Sequence, residues 1–219
     1  MGNYAEKISL CAMSKIFGFE PKIGLAMIAR IGSAAEIFRL GAKDIDGMLG
    51  PHSKYRGAIC SKALDDAEAM LESLSKSGAR FTGWTEEGYP QLLKECPDAP
   101  IGLYAKSSTQ DQELWSGRMP IAVVGTRDIS PYGREWCERI VHALARTSAK
   151  PLIVSGLAIG TDICAHKAAL EAGLPTIAVM ATGTDTIYPY RHSPLAEKLS
   201  CTQGCALVTD YPPGTAPLP

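Results

Sequence analysis

Apolar β-rich runs alternate with helical segments from Pro120 onwards, and this alternation constrains the fold more than any other feature of the sequence. It predicts strands at residues 121–124, 152–154, 176–180 and 206–209. It predicts helices at residues 131–147, 162–172 and 194–199. Strands that alternate with helices form parallel sheets covered by helices on both faces. The expected fold class is therefore α/β, with a Rossmann-like domain built on a parallel sheet.

The first 78 residues follow a different pattern, which predicts a small helical domain. Apolar residues recur at helical spacing in residues 23–31, 34–40 and 58–74. This region is similar to a helix-turn-helix pair of the SAM-like or helix-hairpin-helix type. A packing module without DNA contacts is the favoured interpretation, because DNA-binding hairpins usually carry glycine-rich turns against phosphate. We therefore predict a helical SAM-like domain at residues 1–78 and a Rossmann-like domain at residues 79–219.

The composition limits which binding partners and which cellular compartment we expect for the chain. The net charge of −1 provides no general attraction for nucleic acids, so a DNA site would need a local cluster of arginines and backbone amides. No stretch approaches the ~18 apolar residues that cross a bilayer, and the first residues do not resemble a signal peptide. The seven cysteines include one C-x3-C pair, Cys201 and Cys205, without a second ligand pair. We expect a cytoplasmic protein with reduced thiols, no metal and no membrane contact.

The loop after the first strand of the α/β region has the composition of an anion site. Ligands of such sheets bind beyond the carboxyl ends of the strands, where loops lead into helices. Gly125 lets the backbone approach a ligand, and Arg127 offers a permanently charged fork for phosphate oxygens. Ser130 is suited to cap the following helix, whose dipole favours an anion.

The loop after the second strand is again glycine-rich and again opens a helix, which predicts a second phosphate site. Its candidate residues, with those of the helix that follows, are Ser155, Gly156, Leu157, Ala158, Gly160, Asp162 and His166. The alternative is a tight turn that needs its glycines for backbone geometry alone, and two such loops make this alternative less favoured. Asp162 is expected to cap its helix, or to orient Arg127 or a loop amide.

The loop after the third strand combines aromatic faces with positive charge. Tyr188, Tyr190, Arg191 and His192 lie close together in sequence, a combination suited to unstacked bases and their phosphates. Either tyrosine could instead pack against the sheet edge.

The sequence does not predict an enzyme or a cofactor. Asp162 and His166 are four residues apart, but no serine or cysteine in a nucleophile-elbow motif accompanies them. Neither a P-loop nor the dinucleotide motif G-x-G-x-x-G follows any strand. We expect no catalytic residue.

These motifs together resemble the DprA (Smf) family of DNA-processing proteins, over about residues 84–210. The matching residues are Gly88-Tyr89-Pro90, 100–104, 123–127, Tyr132-Gly133, 154–158, Gly160, Asp162, Ala165-His166, 176–179, Gly183, Asp185 and Tyr188-Pro189. The resemblance implies a Rossmann-like domain that binds single-stranded DNA in a basic pocket, protects incoming strands in natural transformation and helps to load RecA. It also implies a homodimer and no catalysis.

By motif position, the resemblance makes Arg127 the principal phosphate ligand. The residues that it places beside Arg127 in the same pocket are Gly125, Thr126, Ser155, Gly156 and Gly160. Gly183 and Tyr188 of the third loop also fall within the match, and Gly183 is thereby added as a site residue.

The sequence departs from the family pattern at Thr161, where an aliphatic residue is more usual, and at His192, where asparagine is more usual. Family members continue beyond the position of Pro219 into a Phe-x-x-Arg-Asn-Arg segment that completes the pocket, so the domain is expected to be incomplete at its C-terminus. The alternative function is that of a nucleoside monophosphate phosphoribohydrolase of the LOG type. That family's P-G-G-x-G-T-x-x-E pattern, which carries its acid/base glutamate, does not occur here.

Overall fold

The computed structural model describes residues 2–217 and forms two compact units, which divide in sequence between Leu103 and Tyr104. The first unit is mainly helical. Its elements are α1 (Gly2–Ile16), α2 (Pro21–Ile31), α3 (Ala34–Ile37), α4 (Ala42–Leu49), α5 (Ser61–Lys76), β1 (Ala79–Gly83), α6 (Gln91–Lys94) and the start of β2 (Gly102–Lys106). The helical periodicity at residues 23–31 and 58–74 corresponds to α2 and α5, and a short 3₁₀ turn (Arg56–Ala58) precedes α5.

A carboxylate of α1 caps α3. Glu6 accepts hydrogen bonds from the hydroxyl of Ser33 at 2.5 Å and from the amides of Ala34 and Ala35 at 2.8 and 2.9 Å. The first amides of a helix have no partner within it, and the helix dipole favours a negative charge there. Glu6 therefore joins α1 to the turn between α2 and α3.

The compact units divide 25 residues after the predicted domain boundary at residue 78, because β1 packs on the helices before it. β1 contacts both α1 and α5. A Cβ added at Gly83 would stand 2.5 Å from a methyl group of Leu10 in α1, and the amide of Trp84 donates to the carbonyl of Ile101 at 2.8 Å. Residues 79–103 thus share a core with the helices.

The second unit is α/β, as the sequence predicts. Its elements after β2 are α7 (Asp111–Trp115), β3 (Pro120–Ala122), α8 (Pro131–Ala145), β4 (Leu152–Ser155), α9 (Thr161–Glu171), β5 (Thr176–Val179), α10 (Ser193–Cys201) and β6 (Ala206–Thr209). The strand order in this unit is β2-β6-β5-β4-β3. β3 to β6 are parallel, which confirms the predicted parallel sheet, and β2 runs antiparallel to β6.

Helices α8, α9 and α10 all lie on one face of the parallel strands, so the expectation that they cover both faces was wrong. α8 and α9 pack on Ile153, whereas α10 packs on Ala178 and Leu207, and the strand registers place these three residues on the same face. The strands follow chain order from β3 to β6, and right-handed crossovers that advance in one direction put each helix on the same side. Ala122 and Val179 on the opposite face are exposed.

Within residues 2–217, no helix combines the length and the apolar character needed to cross a bilayer.

Candidate nucleic-acid interface

Two loops meet at the carboxyl ends of β3 and β4: the first loop (residues 123–130) and the second loop (residues 156–160). The carbonyl of Thr126 in the first loop accepts hydrogen bonds from the amide of Thr161 at 3.1 Å and from its hydroxyl at 3.3 Å. Thr161 is the first residue of α9. The structure therefore brings the two predicted loops together, and one amide at the N-terminus of α9 is already occupied within the protein.

Glycines make this close approach of the loops sterically accessible. Gly160 has a φ of +89°, and a Cβ added there would stand 2.2 Å from the carbonyl oxygen of Thr126. A Cβ at Gly125 would stand 2.5 Å from the hydroxyl of Thr161, and one at Gly156 would stand 2.4 Å from a carboxylate oxygen of Asp162. The glycines of both loops therefore allow close packing within the protein. This role does not depend on a bound ligand.

The first loop is shaped by two local side-chain bonds. The hydroxyl of Thr126 accepts from the amide of Asp128 at 3.1 Å. Ser130 accepts from the amide of Gly133 at 3.1 Å and caps α8, as predicted, with Pro131 in the first turn. Arg127 lies between Thr126 and Ser130, in the loop that follows the end of β3.

A basic cavity of about 580 Å³ opens beside the two loops. Four cationic side chains line it, from the first loop, α8, α9 and the segment before α10: Arg127, Arg134, Lys167 and Arg191. Asp128 is the acidic residue among the lining residues. Within residues 3–217 none of the four cations has an ion-pair partner. Like charges gathered without acidic partners create a field that favours an anionic ligand.

The sequence predicted Arg127, Gly160, Arg191 and His192 of this lining and missed other members. The missed residues are Asp128, Ile129, Arg134, Ile159, Ile163, Lys167, Pro194 and Leu195. Lys167 lies one turn after Ile163 on α9, so the two share a helical face, but nothing in the sequence indicates that this face lines a cavity.

Two buried histidines lie beneath the second loop. His166 is 0% exposed, with Nε2 2.6 Å from the carbonyl oxygen of Gly156 and Nδ1 2.7 Å from the hydroxyl oxygen of Thr176. Since a carbonyl can only accept, Nε2 donates to Gly156, and a neutral ring then accepts from Thr176 through Nδ1. His192 donates from Nδ1 to the carbonyl of Leu157 at 2.8 Å. Both rings thus hold the backbone of the second loop.

Burial lowers the pKa of His166 below its ordinary value, because the charged imidazolium loses hydration there. The hydrogen bond to the Gly156 carbonyl and the nearby carboxylate of Asp162 act in the opposite direction, and His192 lowers the pKa further. The neutral ring is therefore the favoured form in the folded protein.

Three further predicted residues support the loops from below. The hydroxyl of Ser155 donates to the carbonyl of Val123 at 2.5 Å, which ties β4 to the first loop. Asp162 accepts from the amide of Ala158 at 3.4 Å, so it orients a loop amide, one of the roles predicted for it. The side chain of Leu157 is buried in the core under α10.

The third loop (residues 180–189) is bound to the segment after β6. The amide of Gly183 donates to the carbonyl of Thr215 at 3.2 Å, and the carboxylate of Asp185 accepts from the amide of Gly214 at 2.9 and 3.0 Å. Tyr188 is 61% exposed, outside the lining of the basic cavity. The structure thus brings Arg191 and His192 into the cavity and leaves Gly183 and Tyr188 beside it.

A basic cavity at the carboxyl ends of parallel strands, whose cations lack ion-pair partners in residues 3–217, is the kind of site at which α/β proteins bind anionic ligands. The chain belongs to the family of DNA recombination-mediator protein A, whose model matches residues 80–219. Members of this DprA/Smf family take part in DNA processing and recombination.

Two relatives illustrate the extent of the match. Protein Smf of Synechocystis sp. is 36% identical over 149 residues, which make up 68% of this chain and 36% of that protein. DNA processing protein DprA of Streptococcus pneumoniae is 34% identical over 157 residues, or 71% of this chain and 51% of that protein. The chain thus corresponds to about a third to a half of the length of these relatives.

Two solved structures of related proteins have folds similar to that of this chain. The X-ray structure of DNA processing protein A from Streptococcus pneumoniae matches with a TM-score of 0.69 and 27% identity, over 98% of this chain and 68% of that chain. The structure of DNA processing protein A from Helicobacter pylori matches with a TM-score of 0.52 and 25% identity, over 63% of this chain and 59% of that chain. The latter is described as giving insights into that protein's unique single-stranded DNA binding mode.

Proposed function

We propose that this chain binds single-stranded DNA in the basic cavity. The observation that carries the proposal is the group of four cations, Arg127, Arg134, Lys167 and Arg191, which surround one cavity without an ion-pair partner in residues 3–217. A chain whose net charge is −1 has no general attraction for a polyanion. Phosphates that neutralise these cations release counterions, which is the main source of affinity in such complexes.

Two further observations favour a single strand. The solved Helicobacter pylori relative is described by its single-stranded DNA binding mode. In this chain, Tyr188 and Tyr190 are 61% and 84% exposed and lie next to Arg191 in sequence. Aromatic faces beside cations stack on bases that a duplex would keep paired.

Some residues of the site contact phosphates, and others hold the loops that carry them. Arg127 is the principal phosphate ligand, and Arg134, Lys167 and Arg191 contact neighbouring phosphates. The supporting residues, which act by holding the loops, are Gly125, Thr126, Ser130, Ser155, Gly156, Leu157, Ala158, Gly160, Asp162, His166 and His192. Gly183 fixes the third loop, whose Tyr188 stacks on a base outside the cavity.

The proposal is tested by fluorescence-anisotropy titration of the chain with labelled oligo-dT and with a duplex of the same length at the same salt concentration. We expect binding to oligo-dT and much weaker binding to the duplex. Equal affinity for the two, or binding to neither, would contradict the proposal.

The wider role is proposed from family membership. In that role the chain protects incoming strands in natural transformation and helps RecA to assemble on them, acts as a homodimer and catalyses no reaction. Assembly of RecA on single-stranded DNA, timed with and without the chain, tests the first part, and sedimentation equilibrium tests the dimer. The phosphoribohydrolase alternative predicts release of adenine from AMP, which we do not expect.

A further inference from the structure

Two cysteines meet in the core between α8 and α9. Cys137 of α8 is 8% exposed and Cys164 of α9 is 2% exposed, and both belong to the core cluster that these helices share. The thiol of Cys164 also forms a hydrogen bond with the sulfur of Cys137. Neither residue lines the basic cavity. The interface of the two helices therefore contains a pair of thiols that the proposed function does not use.

Contacts with the backbone place the two sulfur atoms in the same space. Cys137 Sγ lies 4.0 Å from the carbonyl oxygen of Thr161, which is one turn before Cys164. Cys164 Sγ lies 3.7 Å from the carbonyl oxygen of Arg134, which is one turn before Cys137. Each thiol thus reaches the turn of the opposite helix that leads to the other cysteine. A disulfide forms only between cysteines whose side chains are close and point toward each other, which is the orientation that these reciprocal contacts give.

The surroundings make Cys137 the more readily ionised of the two thiols. Burial raises the pKa of both, because the charged thiolate loses hydration in the core, and the pKa of Cys164 is raised to about 12. Their mutual hydrogen bond lowers the pKa of Cys137 and raises that of Cys164 further. The guanidinium of Arg134 lowers the pKa of Cys137, whereas the carboxylates of Glu138 and Asp162 raise it. Since the thiolate is the nucleophile in cysteine chemistry, Cys137 is the thiol that reacts first.

We propose that Cys137 and Cys164 form a reversible disulfide when the folded protein meets a peroxide. A small oxidant is required, because the burial of both thiols keeps bulky disulfides such as oxidised glutathione away from them. The inference goes beyond the proposed function and does not depend on it, since it concerns neither the basic cavity nor DNA.

The reaction takes place in two steps. The Cys137 thiolate attacks one oxygen of hydrogen peroxide, the O–O bond breaks, and the hydroxide that leaves takes up a proton to become water. The sulfenic acid formed on Cys137 is then attacked by Cys164 Sγ, so its S–O bond breaks as the S–S bond forms. The second hydroxide also leaves as water. The two thiols have then lost two electrons and two protons, and one peroxide has become two molecules of water.

The disulfide would join α8 to α9 and close a loop of the chain between residues 137 and 164. Such a cross-link restricts the unfolded chain far more than the folded chain, in which the two thiols are already together. We therefore expect the oxidised second unit to resist unfolding better than the reduced one, and a dithiol reductant to reverse the change.

The test uses the full chain with its three exposed cysteines replaced: Cys60→Ser, Cys96→Ser and Cys201→Ser. The folded protein is treated with hydrogen peroxide, the remaining thiols are blocked with N-ethylmaleimide in denaturant, and the tryptic peptides are identified by mass spectrometry. We expect the peptide with Cys137 to be joined to the peptide with Cys164. Circular dichroism checks the fold, and the same treatment of the unsubstituted chain decides the matter if the triple variant misfolds.

Single substitutions added to the triple variant assign the two steps. In Cys164→Ser the sulfenic acid on Cys137 has no partner, so we expect dimedone, a reagent for sulfenic acids, to label Cys137. In Cys137→Ser we expect loss of that label, because the thiolate of Cys164 is scarce at neutral pH. The matched control is Cys205→Ser, at a buried cysteine of the core cluster under α10, and it should leave the disulfide unchanged.

The urea midpoint of the triple variant should be higher after oxidation than before it, and either single substitution should abolish the difference. Two separate peptides with both thiols blocked by N-ethylmaleimide would overturn the inference. So would a disulfide from either cysteine to Cys205, dimedone on Cys164 in place of Cys137, or equal urea midpoints for the oxidised and reduced protein. Because these experiments contain no DNA, none of their outcomes alters the proposed function.

Discussion

The carbonyl oxygen of Thr126 accepts hydrogen bonds from both the amide and the hydroxyl of Thr161, at 3.1 and 3.3 Å. Loops that follow two different strands are thereby joined into one surface. Arg127 is the next residue along the chain, so its position over the basic cavity depends on this contact. The Thr126–Thr161 contact depends in turn on Gly160.

Replacement of Gly160 by alanine should destabilise the second unit and weaken DNA binding. Gly160 has a φ of +89°, and an added Cβ would stand 2.2 Å from the carbonyl oxygen of Thr126. The alanine would therefore both strain the backbone and collide with Thr126. The matched control is Gly173→Ala, where φ is +67° but nothing lies within 4 Å of the added Cβ. The control should lose about 1–2 kcal/mol of unfolding free energy from the left-handed conformation, and Gly160→Ala should lose more. Urea midpoints that are equal for the two variants would show that the loops do not pack in this way.

Removal of the Arg127 side chain should weaken oligo-dT binding without unfolding the protein. Arg127 lines the cavity and has no acidic partner in residues 3–217, so truncation to alanine removes a charge-assisted contact worth roughly 1.5–3 kcal/mol. The control is Arg39→Ala, which removes an exposed arginine paired with Glu36 on the surface of the first unit. Anisotropy titrations of both variants decide the point: a loss in the Arg39 variant as large as in the Arg127 variant would mean that total charge, and not the cavity, governs binding.

His166 should make the folded state less stable as the pH falls. Burial lowers its pKa, helped by His192 and opposed by the Gly156 hydrogen bond and by Asp162. Below about pH 6.5 the unfolded chain takes up a proton that the folded chain does not bind, so the free energy of unfolding falls with decreasing pH until the folded-state pKa is reached.

The measurement for His166 is the urea midpoint at about pH 7.5 and about pH 5.5, on either side of the ordinary histidine pKa. His166→Gln should show a smaller decrease between the two conditions than the unsubstituted chain does. His52→Gln, at an exposed histidine of the first unit, should behave like the unsubstituted chain. An undiminished decrease in the His166 variant would assign the pH dependence to other groups.

The sequence was a good guide to the strands and to the ends of the loops. Hydrophobic runs close to proline or glycine located β4, β5 and β6 closely, and the Ser130-Pro131 pair located the start of α8. Both signals can be read locally, because strands of a parallel sheet appear as continuous apolar runs and a helix cap lies beside the first turn of its helix.

The missed members of the site depend on distant parts of the chain. Arg134 and Lys167 lie on different helices, and they face one cavity because the crossovers put α8 and α9 on the same side of the sheet. His166 was chosen as a phosphate contact, yet the alanine-rich face of α9 carries it into the interior. The sequence does not reveal which face of α9 is buried, because small residues of this helix occur on most of its faces.

The most direct test of the basic cavity as the DNA site is the salt dependence of oligo-dT binding, measured for the unsubstituted chain and for Lys167→Ala. Each phosphate contact on a single strand contributes about 0.7 to the slope of log K against log salt concentration. We expect the unsubstituted chain to lose affinity steeply with salt and the variant to show a slope smaller by about 0.7. Lys62→Ala, at an exposed lysine of α5, should leave the slope unchanged. A flat response in the unsubstituted chain, or equal slopes for it and Lys167→Ala, would contradict binding of DNA phosphates by the cavity.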